Sequence, residues 1–253
     1  IYYPLSVLML AGIRDIAIIT TPEDQAQFQR LLGDGGQWGL RFEWIVQPRP
    51  EGLAQAYILA AGFLNGAPSM MVLGDNLFFG HGLPEMLARA DAQPLGGTVF
   101  GYRVADPQRY GVVDFDGAGR VRAIIEKPAV PPSNFAVTGL YCLDGTAPDK
   151  AARVTPSPRG ELEIVSVLEA YLAEGTLTVE TMGRGFAWLD TGTHESLLDA
   201  GNFVRTLEER QGLLMGSPDE VAYRQGWIDR AALMARAAMF GKNRYGAYLA
   251  ALD

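Results

Sequence analysis

The sequence has few of the residues that build disulfides or soft metal sites. It contains one cysteine, Cys142, and two histidines, His81 and His194, in 253 residues. A single cysteine can form no disulfide within the chain, and neither histidine has a second histidine or a cysteine near it in sequence. We therefore expect no disulfide framework and no histidine- or cysteine-based metal centre, and we expect a reducing compartment such as the cytoplasm.

Long apolar runs and three common catalytic signatures are also missing. The longest apolar stretch, around residues 5–13, is about half the ~20 residues that a membrane-spanning helix needs. There is no convincing Ser-His-Asp pattern, no GKS or GKT phosphate loop and no GxGxxG fingerprint. These absences argue against a membrane protein, a serine hydrolase, a P-loop NTPase and a dinucleotide-dependent enzyme.

The charge balance is acidic. The chain has 21 Lys and Arg residues against 29 Asp and Glu residues, which gives a formal net charge of −8 at pH 7. This excess argues against nucleic acid or an anionic membrane as the main partner. An anionic substrate would have to be held by local cations or by a metal ion.

The first hundred residues alternate between helix-like and strand-like segments. Short apolar runs are separated by stretches of helical length, an order that is typical of a parallel, doubly wound sheet. A helix precedes the first of these strands, although a βα unit should begin with its strand. The predicted strands are 15–20, 42–46, 70–73 and 98–104, and the predicted helices are 4–12, 22–32, 53–64 and 82–92.

A different pattern begins near Tyr110. Three strand candidates follow one another without helices, and the DFDGAGR segment between the first two has the Asp and Gly residues of a hairpin turn. An antiparallel insertion is therefore expected. The predicted elements of this part are strands 110–115, 121–126, 135–143 and 176–181 and helices 160–174 and 193–210.

Together these patterns predict an α/β fold. We expect a Rossmann-like, mostly parallel sheet that carries the antiparallel insertion, followed by a C-terminal helical appendage. Residues 1–211 would form the α/β domain and residues 212–253 the helical segment, with short helices near 218–223, 230–238 and 245–252.

Polar residues end three apolar, strand-like runs. Asp75 and Asn76 follow MMVLG, Asp190 follows FAWL, and Glu126 and Lys127 end IIEKP. In open parallel sheets, ligands bind outside the carboxyl ends of the strands. Mg²⁺ typically takes one or two protein carboxylates and leaves its other positions to water and phosphate oxygens. Asp75 and Asp190 are thus candidate ligands of a divalent cation shared with phosphates.

Each of these residues also has a simpler interpretation. Asp75 could be a turn residue or the cap of a following helix, and Asp190 could be the N-cap of the 193–210 helix. Lys127 beside Glu126 could be a solvated pair of charges at a strand end. The loop Gln47–Ala56, QPRPEGLAQA, could present Gln47 and backbone N–H groups to the edge of a base, or it could be a connection without a ligand.

Seven short motifs, taken in order, carry a family resemblance. They are QPRPEGLAQA, VLGDNLFFG, RYGVV, IIEKP, NFAVTGLY, RGELEI and GRGFAWLDTGTHESL. Together they resemble the sugar nucleotidyltransferases, over the whole chain including the tail. The resemblance is strongest to the members that transfer a thymidylyl group from dTTP to glucose 1-phosphate, giving dTDP-glucose and pyrophosphate on the route to dTDP-L-rhamnose.

The resemblance implies a role for most of the motif residues. Asp75 and Asp190 would hold a catalytic Mg²⁺, Lys127 would contact the phosphate of the sugar phosphate, and Gln47 and Gly52 would recognise the thymine edge. The remaining matches lie on the sugar side of the site or beside the metal, and they are Tyr110, Gly111, Glu126, Val137, Tyr141, Arg159, Glu161 and Trp188.

The family also implies assembly and regulation. Its members form homotetramers and bind a feedback nucleotide sugar near the C-terminal segment. Arg184, Glu220 and Arg224 stand in matching surroundings here and could bind dTDP-L-rhamnose. Alternatively, Glu220 and Arg224 belong to an ordinary solvated charged face.

One family feature has no match in these residues. The family begins with a strand and a glycine-rich GGxGTR loop that wraps the triphosphate. We therefore expect the 253 residues alone to be inactive or poorly folded, and a chain that carries the loop to be active. Two other hypotheses stay open: a shortened homologue that binds nucleotide sugars or partner subunits without catalysis, and an enzyme that uses UTP.

Overall fold

The computed structural model describes residues 1–93 and 95–253. We number its strands β1–β10 and its helices α1–α11 in chain order. The strands are Asp15–Thr20, Arg41–Val46, Ser69–Val72, Asn76–Phe79, Gly97–Arg103, Gly111–Phe115, Val121–Glu126, Phe135–Leu143, Leu177–Met182 and Ala187–Asp190. The helices are Tyr2–Leu10, Gln25–Leu32, Ala54–Leu59, Ala61–Leu64, Leu83–Asp91, Ala147–Ala151, Ile164–Ala173, His194–Gln211, Pro218–Arg224, Arg230–Met239 and Arg244–Ala250.

The predicted α/β class is confirmed. In the part of the chain that the structure describes, two two-stranded sheets, β1–β2 and β4–β10, accompany a six-stranded mixed sheet. Strand β8 lies at its centre and pairs antiparallel with β3, β5 and β6. The two parallel pairs among the described residues are β1 with β2 and β5 with β9. Strand β10 runs antiparallel to β4 and brings Asp190 opposite Asn76.

The antiparallel insertion forms as predicted. Strands β6 and β7 pair as a hairpin in which Gly111 lies opposite Glu126. The turn closes through Asp116, whose backbone N–H donates to the Arg120 carbonyl at 2.8 Å. Tyr110 precedes β6 and Lys127 follows β7, so the hairpin places the two residues beside each other. The Lys127 N–H donates to the Tyr110 carbonyl at 3.0 Å.

Two helical segments depart from the prediction by more than a shift of a few residues at their ends. The Ala-rich 53–64 segment forms two short helices that meet at Ala60 instead of one. Helix α7 begins at Ile164 and not near residue 160, because the Ser157 N–H donates to the Glu161 carbonyl and closes a turn first.

Hydrophobic side chains fill both faces of the main sheet. One buried cluster joins α7 to the sheet through Leu168 and Tyr171, and a second lies around α5 and Phe100. A third packs α1 against β1. A cavity of about 720 Å³ lies between β1 and β3 and is lined by residues of both strands, such as Ile16 and Met70.

The C-terminal helices pack on the α/β core near α1. Asp219 of α9 is 1% exposed, accepts a hydrogen bond from Arg236 Nε at 2.6 Å and another from Tyr245 Oη at 2.8 Å. The Arg236 guanidinium also lies 5.5 to 5.7 Å from the rings of Phe240 and Trp38. The buried ion pair thus joins α9 to α10, and the same Arg236 side chain contacts the α/β core through Trp38. Among the described residues, no helix is long and apolar enough to cross a membrane.

Candidate functional site

A cleft of about 380 Å³ opens where β3, β7 and β10 end and over the middle of β8. The structure brings together in this cleft all the residues that the sequence analysis predicted as catalytic or substrate-binding. These residues are Gln47, Gly52, Asp75, Tyr110, Gly111, Glu126, Lys127, Val137, Tyr141, Arg159, Glu161, Trp188 and Asp190.

Asp75 and Asp190 lie side by side at one end of the cleft. The β4–β10 pairing brings the two chain segments together, and Thr191 secures them by donating its N–H and its hydroxyl to the Asp75 carbonyl at 2.9 and 2.7 Å. A methyl carbon added to Gly192 would lie 3.1 Å from Asp190 Oδ1 and 3.5 Å from Asp75 Oδ2. The two carboxylates therefore face a common space.

The structure excludes the helix-cap interpretations of these two residues. Helix α8 is capped by Thr193, whose hydroxyl accepts a hydrogen bond from the Ser196 N–H at 3.1 Å. Asp75 precedes a strand, β4, and not a helix, although it does lie in a turn. Asp190 Oδ1 accepts the Gly192 N–H at 3.0 Å.

The donor set fits a hard divalent cation. No ion pair within 4.0 Å joins either carboxylate to a Lys or Arg in residues 1–93 and 95–253, so two negative charges stand together without a balancing protein cation. The same residues contain no group of three or more Asp, Glu, His or Cys side chains suited to a metal. Two carboxylates with room for phosphate oxygens are what Mg²⁺ commonly takes.

Lys127 has an unusual backbone conformation. Its φ is +43°, in the left-handed region that side chains other than glycine rarely adopt, and it precedes Pro128. The residue before a proline is further restricted by the proline ring. Its Nζ lies 3.8 Å from Glu126 Oε1, and its side chain is 48% exposed. Lys127 lines the cleft, and its backbone carries a conformational cost of the kind that collects at functional sites.

A cluster of three carboxylates and one guanidinium forms the wall beside Lys127. Arg159 Nη2 donates to Glu126 Oε1 at 3.0 Å and to Glu163 Oε1 at 2.8 Å, and lies 3.6 Å from Glu161 Oε2. Burial, followed by the nearby Glu163 charge, raises the pKa of Glu126, although Lys127 and Arg159 oppose the shift. The wall offers carboxylate oxygens as hydrogen-bond acceptors, which suits a polyhydroxylated ligand.

Aromatic rings close the end of the cleft that Asp75 and Asp190 line. Tyr110 packs on Trp188 with ring centroids 5.0 Å apart, and Tyr102 meets the same indole edge-on at 6.0 Å. Burial raises the pKa of Tyr110, so its hydroxyl is neutral at physiological pH. Tyr110 lies close enough to Asp190 for that negative charge to contribute to the raised pKa of Tyr110.

The Gln47–Ala56 loop forms the third side. Gln47 Nε2 donates to Gln55 Oε1 at 2.6 Å, which fixes the amide plane of Gln47. Gly52 has φ +106°, and a Cβ there would lie 2.4 Å from the Leu162 carbonyl oxygen. Only glycine therefore allows this loop to pack against the segment that leads into α7.

The floor of the cleft is made by β6 and β8. Val137 and Tyr141 are 7% and 4% exposed, and burial raises the pKa of Tyr141 far above its ordinary value. A Cβ on Gly111 would lie 3.2 Å from a Val165 methyl and 3.5 Å from Glu126 Oε2. The floor is apolar and closely packed.

The three predicted regulatory residues lie outside the cleft lining. Glu220 and Arg224 form an ion pair of 2.9 Å on α9, and Tyr248 Oη donates to the other oxygen of Glu220 at 2.5 Å. Arg184 is exposed in the turn between β9 and β10.

Several residues of the cleft were absent from the sequence prediction. Asn76, Arg109 and Glu163 each adjoin a predicted residue or share its motif, so their position was the available signal. The apolar members carry no chemical signal in the sequence. They are Pro50, Leu53, Leu73, Ile164 and Val165, together with Gly139.

Fold and cleft together define a nucleotidyltransferase. The family model described as Nucleotidyl transferase matches residues 1–206, and the chain belongs to this family.

Three relatives are similar over nearly the whole chain. A glucose-1-phosphate thymidylyltransferase of Xanthomonas campestris pv. campestris is 60% identical over 252 residues, which are 100% of this chain and 85% of that protein. The proteins of the same name from Neisseria gonorrhoeae and Mycobacterium tuberculosis are 51% and 50% identical, each over 98% of this chain and 86% of theirs.

Solved structures share the fold. A Bacillus anthracis protein assigned as a glucose-1-phosphate thymidylyltransferase, crystallised with sucrose, superposes with a TM-score of 0.74 at 36% identity, over 81% of this chain and 82% of that one. A UDP-glucose pyrophosphorylase bound to UDP-glucose superposes with a TM-score of 0.71 at 20% identity, over 81% and 86% of the two chains. At that identity the second likeness concerns the fold alone.

Proposed function

We propose that the protein transfers the thymidylyl group of dTTP to glucose 1-phosphate. A phosphate oxygen of the sugar phosphate would attack the α-phosphorus of dTTP, and the bond from that phosphorus to the β-phosphate oxygen would break. The products would be dTDP-glucose and pyrophosphate. The names of relatives at 50–60% identity support this substrate pair.

The observation that carries the proposal is the arrangement of charge in the cleft. One space of about 380 Å³ is lined by two carboxylate residues, Asp75 and Asp190, and by Lys127. The attacking phosphate is already ionised at neutral pH, so the reaction needs no general base. What it needs is alignment of two anions and neutralisation of charge at the α-phosphorus.

Asp75 and Asp190 would hold a Mg²⁺ ion. When bound, the ion would polarise the α-phosphate and offset the repulsion between the two anionic substrates. Lys127 would neutralise the phosphate of the sugar phosphate, and its restricted backbone would hold the ammonium group in place. None of the side chains in the cleft has to gain or lose a proton in this scheme.

The opposite walls would bind the organic parts of the substrates. The carboxylate of Glu126, held by Arg159, would accept hydrogen bonds from sugar hydroxyls, and Gly111 would let the backbone approach the ring. Gln47, oriented by Gln55, would read the thymine edge, while Gly52 would keep the loop against α7.

Substitution of the two carboxylates tests the proposal. Asp75→Asn and Asp190→Asn should each lower kcat by at least ~10², the scale of losing a transition-state electrostatic contact, with unchanged folding by circular dichroism. Arg205→Ala, which removes an exposed ion pair of α8 outside the cleft, is the control and should keep the wild-type kcat. Near-normal pyrophosphate release by either Asn variant would exclude the metal assignment.

A regulatory role for the tail is a further proposal from the family resemblance. Glu220, Arg224 and Arg184 would bind dTDP-L-rhamnose in a cytoplasmic homotetramer, with residues 212–253 as the regulatory segment. The Glu220–Arg224 ion pair would open to receive the ligand. Inhibition of turnover by dTDP-L-rhamnose, lost in Arg224→Ala, tests this role.

A further inference from the structure

Asn76 is buried directly behind the proposed cation site. It begins β4 and is 3% exposed, whereas its neighbour Asp75 is an exposed residue of the preceding turn. Its side chain makes three hydrogen bonds. Asn76 Nδ2 donates to Asp75 Oδ1 at 2.8 Å, and Asn76 Oδ1 accepts from Trp188 Nε1 at 2.6 Å and from the Gly139 N–H at 3.1 Å.

These partners fix the orientation of the amide. The indole N–H of Trp188 and the backbone N–H of Gly139 can only donate, so the oxygen of Asn76 must face them. The nitrogen of Asn76 must then face Asp75. A Cβ on Gly139 would lie 2.5 Å from Asn76 Oδ1, so the glycine leaves the space that the amide oxygen occupies.

The amide therefore acts on one oxygen of the Asp75 carboxylate. Oδ1 is held by Asn76, and Oδ2 is the atom that lies toward Gly192, on the side that Asp190 Oδ1 also faces. An amide donor is neutral, so it orients the carboxylate without cancelling its negative charge. A lysine or an arginine at the same place would orient Asp75 and neutralise it, which would weaken its attraction for a cation.

We propose that Asn76 is a positioning residue that holds Asp75 ready to bind a divalent cation. Through Trp188 and Gly139, it ties the orientation of that carboxylate to strands β10 and β8, which also carry Asp190 and the cleft floor. The proposal rests on Asp75 being a cation ligand in the proposed function. Loss of an outer-shell partner of this kind typically weakens metal binding by 10- to 100-fold.

Mn²⁺ binding tests the proposal without turnover. Free Mn²⁺ would be titrated by electron paramagnetic resonance into the wild-type protein and the variants Asn76→Ala, Trp188→Phe and Asp75→Asn, well below each variant's Tm. We expect Asn76→Ala to bind Mn²⁺ about 10-fold or more weakly. Trp188→Phe should stay within about 3-fold of wild type, because the Gly139 N–H still holds the amide and the aromatic ring is retained.

The Trp188 indole signal locates the ion. The protein has four tryptophans, and loss of one indole N–H peak in Trp188→Phe assigns that peak in a ¹H–¹⁵N spectrum. Mn²⁺ should broaden the Trp188 peak in wild type and leave it sharp in Asp75→Asn. If Asn76→Ala does not fold, Asn76→Ser, which keeps a small polar group in the pocket, takes its place in the titration.

The outcomes separate the two proposals. Unchanged Mn²⁺ binding in Asp75→Asn would overturn the cation site itself. Weak binding in Asp75→Asn together with wild-type affinity in folded Asn76→Ala or Asn76→Ser would overturn the role of Asn76 alone. Equal losses in the Asn76 and Trp188 variants would also overturn it, since they would show a general loosening of the wall.

Discussion

Lys127 offers a way to separate backbone strain from charge. Its φ of +43° places the Cβ of any residue but glycine against the backbone, at a cost of about 1–2 kcal/mol. Lys127→Ala removes the ammonium group and keeps this cost. Lys127→Gly removes both, but glycine loses about 0.4–1 kcal/mol more chain entropy on folding.

The strain that glycine relieves is larger than the chain entropy that it loses, so the two variants should differ in stability. Lys127→Gly should be more stable than Lys127→Ala by about 1 kcal/mol, which for a chain of this size is about 2–4 °C in Tm. Both variants should raise the KM for glucose 1-phosphate by about 10- to 100-fold, the effect of losing a charge-assisted hydrogen bond of about 1.5–3 kcal/mol. The KM for dTTP should change less.

Thermal denaturation and initial rates of pyrophosphate release measure the two effects. A Tm of Lys127→Gly at or below that of Lys127→Ala would refute the strain argument. Equal effects on the KM of both substrates would refute the assignment of Lys127 to the sugar phosphate. Wild-type kinetics in both variants would remove Lys127 from the site.

Three further perturbations follow from the structure. Gly52→Ala should cost about 3 kcal/mol, since its methyl group would meet the Leu162 carbonyl and cannot be accommodated at φ +106°, and Tm should fall by about 6–12 °C. Because the pKa of Glu126 is raised, native Glu126 binds its proton more tightly than the unfolded chain does. Its contribution to the free energy of unfolding therefore declines as the pH rises through the pKa of the native residue. The Tm of Glu126→Gln relative to wild type should accordingly increase from about pH 4 to about pH 7. Arg236→Met should cost about 3–5 kcal/mol, measured by urea denaturation, because it leaves the buried Asp219 without its cation.

Matched controls exist for these variants. Gly62→Ala lies in α4 with nothing within 4 Å of the new methyl group and should not lower Tm. Arg224→Met breaks an ion pair whose arginine is 57% exposed and should cost less than about 1 kcal/mol. Equal losses in the test and control variants, or a pH-independent Tm difference for Glu126→Gln, would contradict the reasoning.

Local patterns in the sequence predicted most of the elements, but they missed α6 and β4. The strands 15–20, 121–126 and 135–143 have the predicted limits, because apolar runs and turn residues bound them on both sides. Their pairing was harder to predict. Strand β8 joins β3 and β5 in antiparallel register across many intervening residues, and no local periodicity encodes such a partner choice.

In the candidate site, too, local motifs were predictable from the sequence and long-range contacts were not. Motif order predicted Asp75, Lys127 and Asp190, and the structure places all three on one cleft. Asn76 is next to Asp75 in the sequence, but its proposed positioning role depends on a hydrogen bond from Trp188, 112 residues away. Contacts of that kind arise from the tertiary fold and leave no mark on the local sequence.

The central claim is the reaction itself. Its most direct measurement is pyrophosphate release by the protein that carries these 253 residues, with Mg²⁺, glucose 1-phosphate and either dTTP or UTP. We predict release that requires both the nucleotide and the sugar phosphate, with dTTP preferred to UTP. Release from dTTP that does not depend on glucose 1-phosphate, or no release by the folded protein with either nucleotide, would contradict the proposed function.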